Sequence, residues 1–481
     1  MLIFNRSRAG RSTGAHLAPE VPVDDLPREL LREGEPPLPQ VSELQVVRHY
    51  TRLSQKNFSI DTHFYPLGSC TMKYNPKVCG QLATLPGFLT RHPERPARFS
   101  QGFLACLFEL QQMLAEITGM REVALSPLAG AQGELAGMLM FRAYHQARDD
   151  HERREVLVPD AAHGTNPASA VMAGFQVREI PTDEEGDVEL EALRRAVGPH
   201  TAGIMLTNPS TLGVFERRIA EINRIVHDAG GLSYYDGANL NAILGRVRPG
   251  EMGFDVMHIN LHKTFATPHG GGGPGAGPVA AGERLAPFLP LPMVQQTERG
   301  YDWLEERHRP QSIGRLTTWA GNAAVLLRAW VYLRILGAEG LKRVADHAVL
   351  NANYLLALLK ERGFTPAFPG RRATHEFLIT LKPELEQTGV NARDFAKRLL
   401  DFGLHAPTTY FPLLVPECFL IEPTETESRE ELDAFAEAMH LIRKEAQHNP
   451  EKIRTAPDTL PVRRVDEVRA AREPDLAWRN H

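Results

Sequence analysis

Short apolar runs alternate with helical segments through the central part of the chain. Strands are predicted at 155–158, 175–180, 203–206 and 231–238, and helices at 168–173, 188–197 and 219–229. Strands separated by helices of about ten residues are typical of βαβ units, whose strands form a parallel sheet. The pattern therefore predicts an α/β fold with a mainly parallel sheet.

Helical periodicity continues on both sides of this region. Amphipathic helices are predicted at 41–49 and 104–118. The apolar segment 323–336 is interrupted by Arg328 and Arg334, which predicts a core helix and excludes a membrane span. Further helices are predicted at 341–362, 391–402 and 429–447, and strands at 377–381 and 419–421. These later elements indicate a second, smaller α+β domain.

Proline and charged residues dominate both ends of the chain. Residues up to about 40 hold one short predicted helix near 26–33 and cannot build a core, so we expect an extended arm that lies on another surface. The end of the chain is expected to form a second interface arm. We predict four regions: an arm and helix at 1–56, a large domain at 57–336, a small domain at 337–448 and a tail at 449–481.

Composition and charge narrow the function classes. The chain has 481 residues, of which 42% are hydrophobic and 23% charged, as in ordinary globular proteins. A formal net charge of −5 gives no overall field that attracts nucleic acid or anionic lipid. We therefore expect neither a nucleic acid nor a membrane as a partner.

The four cysteines show no metal-binding or disulfide spacing, which suits a reducing compartment. Arg6, Arg8 and Arg11 give the N-terminus a faint likeness to a transit peptide. The stretch is short and has no sustained apolar face, so a cytoplasmic location is the better prediction.

The first candidate for chemistry is Lys263. Val256, Ile259 and Leu261 predict a strand that ends before the run Gly270–Gly273, so Lys263 lies at a strand end. Such a lysine is a solvated surface residue, a phosphate-binding residue or a Schiff-base residue. The Walker pattern places its lysine after the glycines, the reverse of the order here.

Asp236 favours the third interpretation. The predicted strand at 231–238 brings Asp236 to its C-terminal end, where open α/β sheets bind ligands. A pyridoxal phosphate enzyme needs an anion beside the pyridine nitrogen, and Ala238 is small enough for the ring to lie flat on it. Alone, Asp236 is better interpreted as a turn or cap residue. Together with Lys263, one predicted strand later, it indicates a pyridoxal phosphate site.

Two motifs carry a resemblance to a known family. They are Tyr-Tyr-Asp-Gly-Ala-Asn-Leu-Asn at 234–241, and Leu-His-Lys-Thr-Phe at 261–265 with Pro-His-Gly-Gly-Gly-Gly-Pro-Gly at 268–275. The chain resembles the glycine decarboxylase P-protein of the glycine cleavage system, in particular its C-terminal half, which many bacteria make as a separate subunit. The resemblance runs from about residue 57 onward. It implies the aspartate-aminotransferase-like fold, fold type I, with pyridoxal 5′-phosphate bound by the large domain.

A third matching motif is the stretch 57–76, whose Pro66, Gly68 and Pro76 predict an ordered loop. The resemblance implies that this loop lies near the active site. Its candidates for contact with glycine or a lipoyl arm are His63, Tyr65, Ser69 and Lys73. Hydrogen bonds that stabilise the loop are an equal alternative for each of them.

Further residues are predicted to bind the cofactor. A small-residue turn that opens a helix is an anion site, so Gly130, Ala131, Gln132 and Gly133 are candidates to hold the phosphate. The resemblance implies that His163 stacks on the pyridine ring and that Asn208 reaches the 3′-hydroxyl, although both residue types are common in turns. It also implies that His262 contacts the phosphate or closes over the ring, and that Thr317 or Thr318 reaches a phosphate across a subunit boundary.

A metal is not predicted. His258, His262 and His269 invite a metal interpretation, but the segment is predicted to be a strand and neither a carboxylate nor a cysteine completes a set of ligands.

The resemblance implies a reaction and its partners. Glycine loses carbon dioxide, and its aminomethyl group passes to the lipoyl arm of H-protein. The missing half of the P-protein implies a homologous, catalytically silent partner subunit and an α2β2 assembly. Two alternatives remain open: another fold-type-I amino-acid decarboxylase or aminotransferase, and a non-catalytic scaffold subunit.

Overall fold

The computed structural model describes residues 2–11, 26–34, 36–92, 95–268 and 275–477. Three features named above lie outside these residues: the run Gly270–Gly273, the third histidine at 269 and part of the N-terminal arm. The chain divides into two compact units, Met1–Ser59 and Ile60–His481.

The first unit contains helix α1 (Glu43–Ser54), which begins at a capping box formed by Ser42 and Gln45. Upstream, the backbone N–H of Arg8 donates to the carbonyl of Gln40 at 3.0 Å. The helix predicted near 26–33 is only a 3-10 turn at Arg28–Leu30. The prolines at 27, 36 and 37 border this segment and limit how far a helix can extend.

The second unit contains the remaining helices and two large sheets. Its helices are α2 (Lys77–Ala83), α3 (Pro86–Leu89), α4 (Gln101–Thr118), α5 (Gly130–Gln146), α6 (Thr165–Met172), α7 (Leu190–Ala196), α8 (Ile219–Asp228), α9 (Ala323–Glu361), α10 (Lys382–Thr388), α11 (Ala392–Asp401), α12 (Arg429–His448), α13 (Pro450–Thr455) and α14 (Glu467–Arg472). Its strands are β1 (Glu122–Ala124), β2 (Glu155–Pro159), β3 (Gln176–Ile180), β4 (Thr201–Thr207), β5 (Leu232–Gly237), β6 (Val256–Ile259), β7 (Val279–Ala281), β8 (Met293–Thr297), β9 (Gly300–Leu304), β10 (Thr365–Pro366), β11 (Phe377–Thr380), β12 (Thr408–Thr409) and β13 (Cys418–Ile421).

The seven-stranded sheet has the order β1-β7-β6-β5-β4-β2-β3. Strands β3, β2, β4, β5 and β6 pair in parallel, whereas β7 is antiparallel to both β6 and β1. The strands β5 and β6 are buried along their whole length. This burial on both faces is typical of a parallel sheet covered by helices, and it confirms the predicted α/β fold.

A second sheet, with the order β10-β11-β13-β12, is antiparallel throughout. Its core contains Leu355, Phe395, Phe419 and Phe435, each fully buried. The sheet lies inside the predicted small domain at 337–448. Helix α9 is interrupted at Gly337, whose φ of 60° is readily adopted only without a side chain. None of the described helices has both the length and the apolar character to cross a bilayer.

The start of the predicted tail is not a free arm. Helix α13 packs on the small domain, where Ile453 and Ala456 are both fully buried. The guanidinium of Arg464 then donates to Asp394 at 2.8 Å. Periodicity missed this helix because it is short and its Pro450 is also a loop signal, although proline suits the first turn of a helix.

We expect the substitution Ile453→Ala to lower the free energy of unfolding by about 2–5 kcal/mol, because it leaves a cavity under α13. Urea or thermal unfolding measures the change. The matched control is Val462→Ala, at a side chain that is 63% exposed, and we expect no comparable loss there. Equal stability of the two variants would contradict the packing of α13.

Candidate active site

A cavity of about 200 Å³ lies at the carboxyl ends of β4, β5 and β6. The residues that line it come from the large sheet, from α5, from the loop at 57–76 and from the small sheet. They include Ser69, Glu134, His163, Asp236, Lys263 and Glu376. The ends of open parallel sheets are the usual ligand sites of α/β proteins.

Lys263 and Asp236 both line this cavity because their strands are neighbours. Strands β5 and β6 pair in parallel with Asp236 opposite His258, so both strands end at the same edge of the sheet. After β6 the chain turns, and the backbone N–H of Lys263 donates to the carbonyl of Asn260 at 3.1 Å. The turn places Lys263 in the wall of the cavity. The two residues that the sequence singled out are therefore brought together.

Asp236 is a buried carboxylate with several stabilising neighbours. Its Oδ2 accepts from the amide of Asn166 at 3.0 Å, and its Oδ1 accepts from the backbone N–H of Ala238 at 3.0 Å. Burial alone would raise the pKa of Asp236, but the His258 ring, these two hydrogen bonds and Lys263 hold it below the usual value. Asp236 is therefore an anion inside the cavity.

Glu134 is an acidic residue of the site that the sequence did not reveal as functional. It lies on α5 and accepts from the same Asn166 amide that binds Asp236. Burial, and next the charge of Asp236, raise the pKa of Glu134 to about 8. Burial also lowers the pKa of His258 to about 4, so that ring is neutral at neutral pH. Of the two carboxyl groups, Asp236 is the ionised one.

The start of α5 is the predicted anion site. The N–H groups in the first turn of a helix lack partners within the helix, and Gly130 and Ala131 line the cavity. A Cβ atom at Gly130 would lie 2.2 Å from Oδ1 of Asn260, so only glycine fits this approach. The side chain of Gln132 instead bonds the Leu128 N–H at 2.7 Å and the Leu316 carbonyl at 2.9 Å. Only the backbone of Gln132 is left to contribute.

His163, Ala238 and His262 all line the cavity, as the prediction requires. Nδ1 of His163 lies 2.8 Å from Oγ1 of Thr165, and burial lowers the pKa of the ring. The ring is therefore neutral and oriented. Stacking of His163 on a pyridine ring, and contact of His262 with a phosphate, stay predictions.

Asn208 is not placed as expected. Its Oδ1 accepts from the backbone N–H of Glu216 at 2.9 Å, and its side chain borders a neighbouring cavity. Thr207 and Pro209, on either side of it, line the cavity that holds Lys263. The sequence located the correct strand end but not the direction of each side chain. The amide nitrogen of Asn208 is buried and has no hydrogen-bond partner within the described residues, so its contact with a cofactor hydroxyl stays a prediction.

The loop at 57–76 contributes one of its four candidates to the cavity wall, namely Ser69. Lys73 is buried and forms an ion pair with Glu425 at 2.6 Å. Its ammonium also donates to the carbonyl of Thr264 at 2.7 Å. Lys73 thus fixes the loop to the turn that carries Lys263, which supports the stabilising alternative for this residue.

The other two candidates of the loop lie elsewhere. The ring of Tyr65 stacks on His405 with 3.7 Å between centroids, and His63 borders a different cavity. Thr317, predicted to reach a phosphate across a subunit boundary, bonds the carbonyls of Ser126 and Trp319 in its own chain. The proposed contacts of these residues with ligands stay predictions.

The small sheet adds His375 and Glu376, which the sequence analysis missed. With Glu422 they form a buried group whose ligand atoms lie within 4.8 Å of one another, an arrangement able to hold a metal ion. Oxygens of both glutamates accept instead from backbone N–H groups of the loop, at Ser69 and Thr71. Their role here is to hold the loop, and the absence of a metal stays a prediction. Neither glutamate lies in a recognisable motif, so spacing gave no signal.

The residues present fit pyridoxal phosphate. The first turn of α5 offers N–H donors for a phosphate, Asp236 offers an anion for a protonated ring nitrogen, and Lys263 offers an amine. Within the described part of the chain, the buried Oγ1 of Thr207 has no hydrogen-bond partner, and this residue lines the same cavity. An unpaired buried hydroxyl is costly unless a ligand satisfies it.

Comparisons with known proteins identify the fold. The family model for aminotransferase class V matches residues 136–274, and that for the C-terminal domain of glycine dehydrogenase matches 344–461. The crystal structure of glycine decarboxylase (P-protein) of the glycine cleavage system, in inhibitor-bound form, superposes with a TM-score of 0.73 at 26% identity, covering 87% of this chain and 93% of that one. Fold and site together define a pyridoxal phosphate enzyme of fold type I.

Similar proteins then give the family. The chain is 67% identical to the probable glycine dehydrogenase (decarboxylating) subunit 2 of Methylococcus capsulatus, over 100% of this chain and 98% of that protein. The protein of the same description from Coxiella burnetii is 65% identical over 99% of this chain and 98% of that one. The chain belongs to the glycine dehydrogenase (decarboxylating) subunit 2 family.

We expect Gly130→Ala to weaken the binding of pyridoxal phosphate, because the new methyl group forces the start of α5 away from Asn260. Overpacking costs about 1–3 kcal/mol, which corresponds to a roughly five- to hundredfold higher Kd. Titration followed by the absorbance of the bound cofactor measures this. Gly198→Ala is the control, since a Cβ there meets nothing within 4 Å. A similar Kd for both variants would contradict the assigned phosphate site.

Proposed function

We propose that this chain is the cofactor-bearing subunit of a glycine-cleaving P-protein. It decarboxylates glycine and passes the aminomethyl group to the lipoyl arm of H-protein. The observation that carries the proposal is the meeting of Lys263, Asp236 and the start of α5 in one cavity. The similarity to subunit 2 proteins along the whole chain supports the same substrate and reaction.

Pyridoxal phosphate supplies an electron sink for the bond to the carboxylate of glycine. Asp236, ionised in this cavity, keeps the ring nitrogen protonated, which deepens the sink. Lys263 would hold the group through its amine. The N–H groups at the start of α5 would hold its phosphate, and His163 and Ala238 would lie beside its ring.

Two groups of this chain fix the geometry of that arrangement. Asn166 donates to one oxygen of Asp236 and the backbone N–H of Ala238 to the other, so the orientation of the anion is set from two sides. Lys73 attaches the loop at 57–76 to the carbonyl of Thr264, the residue after Lys263. A wall held in this way limits the entry of water, which would quench a carbanion.

The description of the relatives as subunit 2 implies a partner subunit. We propose that this partner is the homologous N-terminal half of the P-protein, without a catalytic lysine of its own, in an α2β2 assembly. Lipoylated H-protein and glycine are the other partners in the proposal. A cytoplasmic location stays a prediction.

The covalent role of Lys263 is tested by borohydride reduction of the cofactor-loaded protein, followed by peptide mapping. We expect the reduced adduct on the peptide that contains Lys263, and complete loss of glycine–carbon dioxide exchange in Lys263→Ala. Lys342→Ala, at a half-buried lysine of α9, should keep both properties. An adduct on another peptide would refute the proposal, and exchange without a lipoyl acceptor would indicate a different decarboxylase.

The role of Asp236 is tested with Asp236→Asn, which keeps the size of the side chain but removes the charge beside the ring nitrogen. We expect glycine–carbon dioxide exchange to fall by about two to three orders of magnitude, as when one preorganised electrostatic group is removed from an active site. The cofactor should remain attached to Lys263. Asp346→Asn, on the surface of α9, is the control and should retain full exchange. Near-normal exchange in Asp236→Asn would contradict the assignment.

A further inference from the structure

Glu376 and Glu422 form a carboxyl pair at one end of the two central strands of the small sheet. Strands β11 and β13 are antiparallel with Phe377 opposite Ile421, so the residues just beyond this pair, Glu376 and Glu422, lie side by side. Glu376 is 3% exposed and Glu422 is fully buried. Glu376 also lines the cavity that contains Lys263. One member of the pair thus faces the reaction site.

The two glutamates accept different numbers of hydrogen bonds. Glu422 accepts from the N–H of Thr71 at 3.0 Å, from the hydroxyl of Thr71 at 2.8 Å and from the amide of Asn239 at 3.0 Å. In the described part of the chain, Glu376 accepts one hydrogen bond, from the N–H of Ser69 at 2.7 Å. Donors stabilise the charged form of a carboxyl group. Two buried carboxyl groups this close resist ionising together, and burial raises the pKa of Glu422 to about 7 and that of Glu376 to about 8. Glu422, with more hydrogen bonds, therefore ionises before Glu376.

The charged and titratable groups that face Glu376 agree with this division. They are Glu422, Lys263, Cys70 and His375, whose Nε2 lies 3.9 Å from Oε1 of Glu376. Burial, and next the charge of Glu422, raise the pKa of Glu376 to about 8, although Ser69 and Lys263 oppose the rise. Burial lowers the pKa of His375 to about 3, so this ring adds no charge.

The cavity offers an amino-acid carboxylate few partners. Among the described residues that line it, Lys263 is the only lysine or arginine. Under the proposed function Lys263 serves the cofactor, so the substrate carboxylate meets no dedicated cation. Recognition then depends on neutral hydrogen-bond donors in the wall, and a protonated Glu376 is one of them.

We propose that Glu376, in its protonated form, donates a hydrogen bond to the carboxylate of the substrate and so selects an amino acid over a simple amine. This inference rests on the proposed function, because it assumes that glycine is the amine that enters. It assigns Glu422 as a positioning residue, which keeps the proton on Glu376 and anchors the loop at Thr71.

A neutral donor suits a carboxylate that leaves as carbon dioxide. An arginine would stabilise the ionised carboxylate of the bound substrate strongly, and that stabilisation would be lost as the charge moves into the ring. A carboxylic acid gives orientation with a smaller loss. Catalysis gains when the ground state is not bound more tightly than the transition state.

The test compares glycine with methylamine, which has the amine but no carboxylate. The full chain is loaded with pyridoxal phosphate in complex with its partner subunit, and the affinity for each amine is followed by the absorbance of the bound cofactor. In Glu376→Leu we expect the preference for glycine over methylamine to fall about ten- to hundredfold, the effect of losing one hydrogen bond to a charged group. A merely structural role would weaken both amines alike and would overturn the proposal.

Two further variants distinguish the effect of the proton on Glu376 from the effect of the shape of its side chain. In the wild type, the preference for glycine should fall above pH 8, because the donor exists only below the raised pKa of Glu376. Glu376→Gln keeps an N–H donor at every pH, so its preference should persist there. Glu422→Gln removes the charge that holds the proton on Glu376, so the fall should start about one pH unit lower.

The controls make the outcomes distinct. Glu384→Gln changes a buried glutamate of the small domain that pairs with Arg443 at 3.0 Å, and it should leave the preference at the wild-type value. A wild-type protein in which neither amine changes the cofactor absorbance would refute the proposed function itself. A normal wild-type response with an unchanged pH profile in Glu376→Gln would refute only the role of Glu376.

Discussion

The structure of the site follows from the burial of several carboxyl groups around one amine. Glu134, Asp236, Glu376 and Glu422 are all buried, and the charge of Lys263 lowers the pKa of each. A single amine cannot neutralise four anions, so the others must be protonated or held by hydrogen bonds. The outcome is two buried pairs, in each of which one carboxyl group ionises before the other. Asp236 ionises before Glu134, and Glu422 before Glu376.

The fold meets this constraint with two sheets that meet at one cavity. Parallel β5 and β6 bring Asp236 and Lys263 to the same edge of the large sheet. Antiparallel β11 and β13 place Glu376 beside Glu422 at an edge of the small one. The loop at 57–76 joins the two sheets. Lys73 donates to the turn after β6, while Ser69 and Thr71 donate to the two glutamates. The site therefore exists only when both sheets and the loop are in place.

The part of this site that lies on the large sheet was accessible from the sequence. Strand periodicity and the order of two motifs located Lys263 and Asp236, because the ends of successive parallel strands share one edge. The small-sheet part was not accessible. Glu376 and Glu422 become neighbours only through the register of β11 and β13, and nothing in the residues around either glutamate reports that pairing. Asn208 shows the same limit, since its position at a strand end was predictable but the direction of its amide was not.

The loop also connects Glu422, next to the small sheet, with the end of β5. Asn239 follows Ala238 at the end of β5, and its amide donates both to Thr71 and to Glu422. The segment after Asp236, the loop and the small sheet are thus one hydrogen-bonded unit. A shift of the small sheet would take Glu376 and the anchor of the loop away together, since both depend on the same strands. Neither glutamate can move without breaking the hydrogen bonds that fix Ser69 and Thr71. The same packed arrangement therefore serves both to recognise the carboxylate and to close the cavity wall.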